Sequence, residues 1–341
     1  YLARCSYMSE RGRSVSDVLW YIGDEISHKP DQEYPFPAGY KYDYCNPDVL
    51  LNRLSVKDGY IVTPEGLSYR FLWIPENKRM LPETLEKLYS LIEQGATVVA
   101  NAPQSIATLV GGEQSQTRFE QAVKAIWGTA KQGAITHLGK GRLLSGATLE
   151  EALHMLDIKP DVCGDVRWIH RHVKGADWYF VTPLKQASFN GKVKFKAQGA
   201  AELWNPVTGE ITPLKVEREG EYATVQLDMP KAGSCFVVFN HDKKQKNPEA
   251  VTYKHTQSIE GKWLVEFPEG WGAAPRLEIE TLVPWCNMPL SEEGKAFSGS
   301  VTYSKSFNWQ GESESVQLDL VSVDMIAEVT LNGEKLPVLW C

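Results

Sequence analysis

Residues 69–100 read YRFLWIPENKRMLPETLEKLYSLIEQGATVVA, and this stretch decides the fold class. The runs YRFLWI (69–74) and ATVVA (96–100) are short, apolar and rich in β-forming residues, as expected of strands buried on both faces of a parallel sheet. Between them a helical pattern has Pro82 near its start and Gly95 at its end. Its inward stripe consists of Leu85, Leu88, Tyr89 and Ile92. The stretch therefore predicts a strand–helix–strand unit.

The same alternation extends over residues 14–162. VLWYI (18–22) predicts another buried strand, and Asn46-Pro47 supplies a cap and a first-turn proline for the helix PDVLLNRLS. Thr148 and Glu151 have the spacing of a capping box for LEEALHML. Strands that alternate with helices predict an open parallel sheet of the flavodoxin-like kind.

The periodicity changes near Pro160, where short strands separated by turn residues begin. KVKFKA (192–197) alternates, with Val193, Phe195 and Ala197 predicted inward and the three lysines outward. We expect an antiparallel β-sandwich over residues 163–243, a charged linker in HDKKQKNPE (241–249) and a further all-β segment over 250–341. In that last segment, Asn332-Gly333 predicts a tight hairpin.

Composition excludes some classes of function. A net charge of -7 argues against nucleic acid, which requires a basic surface. No apolar run approaches the roughly 20 residues of a membrane-spanning helix. The six cysteines are widely separated and form no CxxC pair, which favours buried free thiols over a zinc ribbon or a disulfide framework.

The α/β region lacks the motifs of a nucleotide site or a nucleophile elbow. It contains no GxGxxG or P-loop, and Gly139-Lys140-Gly141 is too short and precedes a strand. The turn after ATVVA, residues 101–104, has no nucleophile at its apex, and Pro103 removes an N–H that an oxyanion hole could use. We interpret this domain as catalytically silent by itself.

Two pairs of polar residues are candidates for chemistry. His170 and His172 lie on one face of a predicted strand, which allows metal binding, but no third ligand is identifiable and solvent-facing histidines are the preferred interpretation. Asp24 and Glu25 follow the first strand, where ligands gather in open α/β sheets. Adjacent carboxylates on a loop point apart, so a solvated loop is favoured over an acid/base dyad.

The stretch GYKYDYCNPD (39–48) concentrates tyrosines around a carboxylate. Tyr40, Tyr42, Asp43 and Asn46 combine ring faces with polar groups, and such a combination suits sugar hydroxyls. The alternative is that the tyrosines pack in the core and Asn46 caps the following helix. We retain these four residues as candidate substrate-binding residues.

From residue 39 onward the sequence resembles the α-L-rhamnosidases of glycoside hydrolase family 106. The resemblance covers GYKYDYCNPDVLLNRLSVKDGYIVTPEG and continues through ATVVANAP. YLARCSYMSERGRSVSDVLWYIGDE (1–25) resembles the family's exit from its catalytic barrel, and WIHRHVKGADWYFVT and ELWNPVTGEITPL resemble its next β domain. FSGSVTYSKSFNW and AEVTLNGEKLPVLW resemble a galactose-binding-like sandwich, here truncated.

The resemblance implies that residues 1–13 are the last helix of a (β/α)₈ barrel that precedes this segment, and that the sandwich over 250–341 continues beyond it. Such a barrel would supply two glutamates for inverting hydrolysis and a calcium-assisted rhamnose pocket. No catalytic residue, metal ligand or cofactor is assigned to the present segment. Family members are exported, often to a bacterial periplasm, and act on rhamnose-containing plant polysaccharides.

Other functions remain open at this stage. A carbohydrate-binding module is one alternative, with Trp271, Trp285 and Trp309 as candidate platforms. A purely structural role beside a catalytic barrel is another, with loop 39–46 contacting substrate. A flavodoxin-like cofactor binder is the least favoured because the phosphate loop is missing.

Overall fold

The computed structural model describes residues 1–25, 36–75, 78–248, 256–311, 316–321, 323 and 325–340. The chain forms two compact units, one made of Tyr1–Pro248 with Val323–Cys341 and the other of Glu249–Ser322. Sheet predominates over helix, and most strand pairs are antiparallel. The helices are α1 (Leu2–Glu10), α2 (Pro47–Arg53), α3 (Pro82–Gln94), α4 (Gly112–Trp127), α5 (Leu149–Met155) and α6 (Glu292–Lys295).

A sheet with five parallel strands organises the first half of the chain. In spatial order its strands are Tyr42–Cys45, Val18–Tyr21, Phe71–Ile74, Thr97–Ala100, Gly141–Ser145 and Ala134–Leu138, of which the last is antiparallel. The first strand in the chain, Val18–Tyr21, pairs with the second, Tyr42–Cys45, on one side and with Phe71–Ile74 on the other. In open α/β sheets, this reversal of strand order opens a crevice at the carboxyl ends of the strands.

Both faces of this sheet are buried. One face of the sheet packs against α2, α3 and α4 and includes Leu19, Leu72 and Val98. The opposite face includes Val18, Phe71 and Leu144, and it packs against Leu149 and Leu153 of α5. Successive strand residues point to opposite faces, so a strand with two buried faces must be apolar throughout. This explains why the runs in this part of the sequence are continuous rather than alternating.

The predicted helix ends are confirmed. Oδ1 of Asn46 accepts a 2.9 Å hydrogen bond from the Val49 N–H, and Pro47 stands in the first turn of α2. Gly95 ends α3 with φ of 124°, a conformation that glycine adopts without the steric cost of a side chain. Thr148 and Glu151 form a reciprocal capping box at α5.

Short strands flank the parallel sheet. An antiparallel trio consists of Ser55–Lys57, Tyr60–Val62 and Ser68–Tyr69. A parallel pair consists of Arg79–Met80 and Ser105–Ile106.

A β-sandwich follows, made of two antiparallel sheets. The front sheet contains, in spatial order, Arg13–Ser14, Val166–Val173, Ala176–Pro183, Cys235–Asn240, Ala200–Trp204 and Ile211–Pro213. The back sheet contains Val162–Cys163, Phe189–Phe195, Tyr222–Met229 and Val216–Glu219. Val193, Phe195 and Ala197 are buried between the sheets, which confirms the alternation predicted for that strand.

Helix α1 packs on the outer surface of the front sheet. Met8 is buried there with Phe236 and Val238, and Cys5 is half-buried beside them. Leu2, at the start of the helix, is 74% exposed, because the sheet covers only the side of the helix that carries Cys5 and Met8. Arg4 donates hydrogen bonds to the carbonyl oxygens of Pro206 and Val207, at 3.0 and 2.8 Å.

The segment after α1 crosses to the sandwich before the α/β region begins. Arg13 and Ser14 pair with His172 and Arg171 as the edge strand of the front sheet. The Arg171 guanidinium donates to the carbonyl oxygens of Arg11 and Gly12, both at 2.9 Å. The parallel sheet is therefore inserted between two strands of the same sandwich sheet.

The second unit has its own smaller core. Strand Trp263–Glu266 pairs antiparallel with Arg276–Ile279 on one side and Thr302–Ser304 on the other. The buried residues are Val265, Phe267, Ile279, Met288 and Phe297, next to a 3₁₀ helix at Trp285–Asn287 and α6.

The predicted hairpin at the end of the chain is confirmed. Thr330–Leu331 pairs with Glu334–Lys335 across Asn332 and Gly333, whose φ angles are 52° and 87°. Two positive φ values in succession belong to a type I′ turn, for which Asn-Gly is the favoured sequence. The segments that flank this hairpin also pair, because Ile326–Ala327 is antiparallel to Leu339–Trp340.

Candidate functional site

The four candidate substrate-binding residues lie in and beside the strand Tyr42–Cys45. The Tyr40 hydroxyl donates to the Ile158 carbonyl oxygen at 2.8 Å, and Asn46 caps α2. Asp43 accepts from the Tyr69 hydroxyl at 3.0 Å, while the Tyr42 hydroxyl lies 3.4 Å from that of Tyr44. Strand alternation places Asp43 on the face opposite Tyr42, so the four do not converge on one pocket. Substrate contact by them stays a prediction.

Tyr42 belongs to an aromatic cluster on the sheet face that α5 partly covers. Its ring centroid lies 5.3 Å from that of Trp20 and 4.4 Å from that of Phe36. Trp20 in turn lies 4.8 Å from Trp73 and 5.1 Å from Tyr44. Tilted and edge-to-face rings at such separations are typical of packed aromatic cores.

The carboxyl edge of the sheet is occupied by structural contacts. Asp24 accepts hydrogen bonds from the Tyr21 hydroxyl and the Thr84 hydroxyl, both at 2.6 Å, and from the Leu81 N–H at 2.9 Å. The interpretation of Asp24 as part of a solvated loop is therefore wrong, because this carboxylate caps the first turn of α3. Glu25 accepts from Arg79 Nε at 3.1 Å on the surface.

The prediction of two solvent-facing histidines is wrong for His170. This residue is only 6% exposed, and it lies between two carboxylates. Its Nδ1 is 2.8 Å from Asp161 Oδ2, and its Nε2 is 3.1 Å from Asp177 Oδ1. The alternation of its strand directs Trp168 and His170 toward the sandwich interior, whereas His172, near the strand end, remains exposed.

Asp177 joins this buried pair to the surface. It accepts from Nδ1 of His172 at 2.7 Å and from Nε2 of His241 at 2.9 Å, in addition to the contact with His170. On the other side, Asp161 accepts from the buried Tyr179 hydroxyl at 2.9 Å. We call the six residues of this network the histidine–aspartate cluster, which consists of Asp161, His170, His172, Asp177, Tyr179 and His241.

The electrostatics of the cluster favour a charged His170. Burial alone lowers the pKa of its imidazole, but hydrogen bonds to Asp161 and Asp177 outweigh burial and raise this pKa to about 9. Burial raises the pKa of Asp177, yet the hydrogen bonds from His170 and His172 bring it down to about 2. Burial, followed by the charge of Asp161, raises the pKa of nearby Asp17 to about 6.

A basic groove opens beside the cluster, where α1 leads into the edge strand of the front sheet. It has a volume of 860 Å³ and is lined by Tyr7, Arg11, Gly12, Arg13, His172, Val173, Lys174 and Trp178. The lining contains three full positive charges and no carboxylate. We refer to it as the basic groove.

A second groove of 560 Å³ lies on the back sheet. Its two glutamates, Glu217 and Glu219, form exposed ion pairs with Lys192 and Lys194. Hydrolysis of a glycosidic bond requires two carboxylates that flank the bond. Lysines already pair with both glutamates of the second groove, and the lining of the basic groove has no carboxylate.

Within the described ranges, no group of three or more His, Cys, Asp or Glu side chains is placed to hold a metal ion. The histidine–aspartate cluster instead commits its carboxylate oxygens to imidazoles and a phenol. Calcium in a preceding barrel stays a prediction. Over the same residues, no helix has the length and apolar character that crossing a bilayer requires.

Comparison with known proteins connects these features to one family. The family profile described as alpha-L-rhamnosidase, glycoside hydrolase 106, matches residues 1–218. The present chain is similar to the solved structure of a rhamnosidase from Novosphingobium sp. PP1Y, with 26% sequence identity and a TM-score of 0.84. The match covers 100% of the present chain and 34% of the rhamnosidase chain. A Formosa agariphila protein, provisionally named a beta-glucuronidase, is 29% identical over 290 residues, which cover 79% of this chain and 24% of the relative.

The chain thus spans about a third of the solved rhamnosidase and about a quarter of the Formosa agariphila relative. The profile match extends from α1 through the parallel sheet into the sandwich, and it includes the basic groove and most of the histidine–aspartate cluster. The chain belongs to the glycoside hydrolase family 106 α-L-rhamnosidases.

Proposed function

We propose that this chain is the accessory region of an α-L-rhamnosidase-like glycoside hydrolase and does not itself cleave glycosidic bonds. The observation that carries the proposal is the match of the whole chain, at a TM-score of 0.84, to one third of a larger rhamnosidase. The carboxylate-free lining of the basic groove agrees with a role without hydrolysis.

The full protein, in this proposal, cleaves rhamnosidic bonds of plant polysaccharides with inversion, using two carboxylates of a separate catalytic barrel. Inverting hydrolysis needs one carboxylic acid to protonate the leaving oxygen and one carboxylate to activate water. Calcium would assist in that barrel, and the protein would act in the periplasm or outside the cell. The name of the Formosa agariphila relative makes glucuronide cleavage the competing activity.

We also propose finer fold assignments. The strand order of the parallel sheet, with its first strand between the second and third, is that of flavodoxin-like domains. The antiparallel strands at Trp263–Glu266, Arg276–Ile279 and Thr302–Ser304 support a galactose-binding-like sandwich over 250–341.

The proposal is tested by comparing this chain with its full-length parent on aryl α-L-rhamnoside and aryl β-glucuronide. We expect the parent to release the aryl group from the rhamnoside alone, with inverted anomeric product by NMR, and this chain to release none. Turnover by this chain that is lost when Asp161 or Asp177 is changed to Asn would refute the accessory role. Cleavage of only the glucuronide by the parent would refute the rhamnosidase assignment.

A second candidate function, carbohydrate binding, is favoured by Trp271 in the second unit. This indole is 63% exposed between Gly270 and Gly272, and an edge-to-face contact with Phe297 supports it at 6.2 Å. Trp285, by contrast, packs against the core and donates to the Tyr303 hydroxyl at 2.6 Å. Exposed aromatic rings are suitable stacking surfaces for sugars.

Calorimetric titration with rhamnose, galacturonan and pectic oligosaccharides tests this second function. We expect Trp271→Ala to weaken binding of one of these glycans more than Trp309→Ala does, because the Trp309 indole is 38% exposed and the Trp271 indole 63%. Absence of heat in every titration of the unaltered chain would contradict a binding function for the second unit.

A further inference from the structure

We propose that the basic groove binds an acidic saccharide, with a uronate carboxylate at Lys174 and Arg11 and a sugar ring against Trp178. This inference concerns ligand binding by the first unit and stands whether or not the parent protein is a rhamnosidase. The volume of the basic groove, 860 Å³, is within the range of small-molecule sites.

Charge is the first argument. Arg11, Arg13 and Lys174 line the groove without an acidic residue among the lining residues, although the whole chain carries a net charge of -7. A positive groove on a negative chain selects small anions over polyanions such as nucleic acid, which the rest of the surface repels. Lys174 is exposed at the turn between two strands of the front sheet, so its ammonium is accessible to a ligand.

The wall of the groove is held in place by the backbone around Gly12. The φ of Gly12 is +67°, and a Cβ at this position would overlap the His172 carbonyl. Arg171 fixes the same turn by donating to the carbonyl oxygens of Arg11 and Gly12. The groove is therefore preformed, which reduces the entropy that a ligand loses on binding.

Asp177 contacts His172 of the groove lining, and its charge is already matched. Its oxygens accept from His170, His172 and His241, and burial shields it further. His172 uses Nδ1 for this contact, and the same side chain lines the groove. An imidazole held by a carboxylate in this way is oriented to contact a sugar hydroxyl or carboxylate.

Aromatic rings complete the resemblance to a saccharide site. Trp178 is half-buried, with the apolar cluster beneath α1 on one side and the groove on the other. Tyr7 is 54% exposed, and the Arg11 guanidinium lies 4.0 Å from its ring centroid. A ring face beside a cation suits a uronic acid, which has an apolar face and one negative charge.

The test is calorimetry on the complete chain with digalacturonate, neutral galactobiose and inorganic phosphate, each at millimolar concentration. We expect binding of digalacturonate alone, weakened by added salt because exposed charges are screened. Lys174→Ala should lower the affinity about tenfold, which is the lower end of the contribution of one hydrogen bond to a charged group. Lys192→Ala is the matched control, because Lys192 is an exposed lysine of the second groove paired with Glu217.

Trp178→Leu tests the stacking contact separately and keeps an apolar side chain under α1. Equal binding of galactobiose and digalacturonate would overturn the assignment of charge selection. Equal binding of phosphate would overturn saccharide recognition and show a general anion site. The proposal would also fail if digalacturonate did not bind, or if Lys174→Ala and Lys192→Ala lowered its affinity equally. Rhamnosidase activity of the parent does not enter any of these outcomes.

Discussion

His170 Nδ1 lies 2.8 Å from Asp161 Oδ2 inside the sandwich, and both side chains are almost fully buried. Loss of one partner from a buried ion pair costs about 3–5 kcal/mol. Asp177 Oδ1, 3.1 Å from Nε2, would still compensate part of the His170 charge, so the lower end of this range applies. We expect Asp161→Asn to lower the free energy of unfolding by roughly 3 kcal/mol at pH 7. Asp165→Asn, the same change at an exposed position nearby, should have little effect in urea denaturation. Equal midpoints for the two variants would contradict this prediction.

The same imidazole should make stability depend on pH. The pKa of His170 is about 9 in the folded chain and 6.5 in the unfolded chain. Below pH 6.5 both states hold the proton and the stabilisation is complete; between pH 6.5 and 9 only the folded state holds it, so stability falls as pH rises. The expected loss is of the order of 3 kcal/mol.

Urea denaturation at a series of pH values measures this effect. His170→Gln should remove the decline between pH 6.5 and 9, whatever its effect on stability at neutral pH. The groups around His170 with their own charges are Asp17, Asp161, Asp177, Arg70, Lys196, His172 and His241. An unchanged slope in His170→Gln would assign the decline to one of them.

The contribution of Asp17 to stability should change with pH in the opposite sense to that of an ordinary paired carboxylate. Burial and the charge of Asp161 raise its pKa to about 6, so its ionised form is disfavoured in the folded chain. Between pH 3.8 and about 6 the Asp17 carboxyl is protonated in the folded state and ionised in the unfolded state. The free energy of unfolding therefore falls across this window as pH rises. We expect Asp17→Asn to raise the melting temperature at pH 7.5 and to change it little at pH 3.5. A lower melting temperature at pH 7.5 would show that attraction to Arg70 and Lys196 dominates.

Gly12 offers a test of the backbone beside the basic groove. Gly12→Ala introduces a Cβ at φ +67° in contact with the His172 carbonyl, whereas Gly59→Ala introduces one at φ +81° with no atom within 4 Å. Both variants carry the cost of a positive φ, roughly 1 kcal/mol, and only the first adds steric overlap. Thermal unfolding should therefore show a larger loss for Gly12→Ala, and equal losses would contradict the close approach.

Asn46 distinguishes a helix cap from a substrate contact. Asn46→Ala should lower the free energy of unfolding by about 1 kcal/mol, and Asn46→Asp should preserve it because aspartate also accepts from the Val49 N–H. The Michaelis constant of the parent enzyme provides the second measurement. If Asn46→Asp keeps the stability but raises that constant, Asn46 contacts substrate as its place in the tyrosine-rich stretch 39–48 predicts.

Much of the fold could be predicted because local signals were strong. Continuous apolar runs such as YRFLWI, the cap at Asn46 and the alternation at Val193 and Phe195 each depend on neighbours in sequence. The position of α1 could not be predicted in the same way. Its partners, Phe236 and Val238, lie more than two hundred residues away, and nothing in the local pattern indicates them.

The histidine–aspartate cluster was missed although part of its signal is visible. In VRWIHRHV, His170 shares the face of Trp168, and a tryptophan in a sandwich strand indicates the interior. Asp161, Asp177 and His241 come from other strands and loops, so their convergence depends on sheet register. The basic groove was missed for the same reason, because Arg13 meets His172 only through strand pairing.

The insertion of the parallel sheet between two strands of one sandwich sheet has a consequence for folding. Arg13 pairs with His172, so the edge of the sandwich closes only after the whole intervening domain has been synthesised. Such closure of a long loop is slow, whereas the inserted sheet is built from helices and strands that are close in sequence. During synthesis the α/β domain would reach its native state first and hold residues 13 and 172 within reach of each other. Destabilising mutations in that domain should therefore delay the assembly of the sandwich, even where they touch none of its residues.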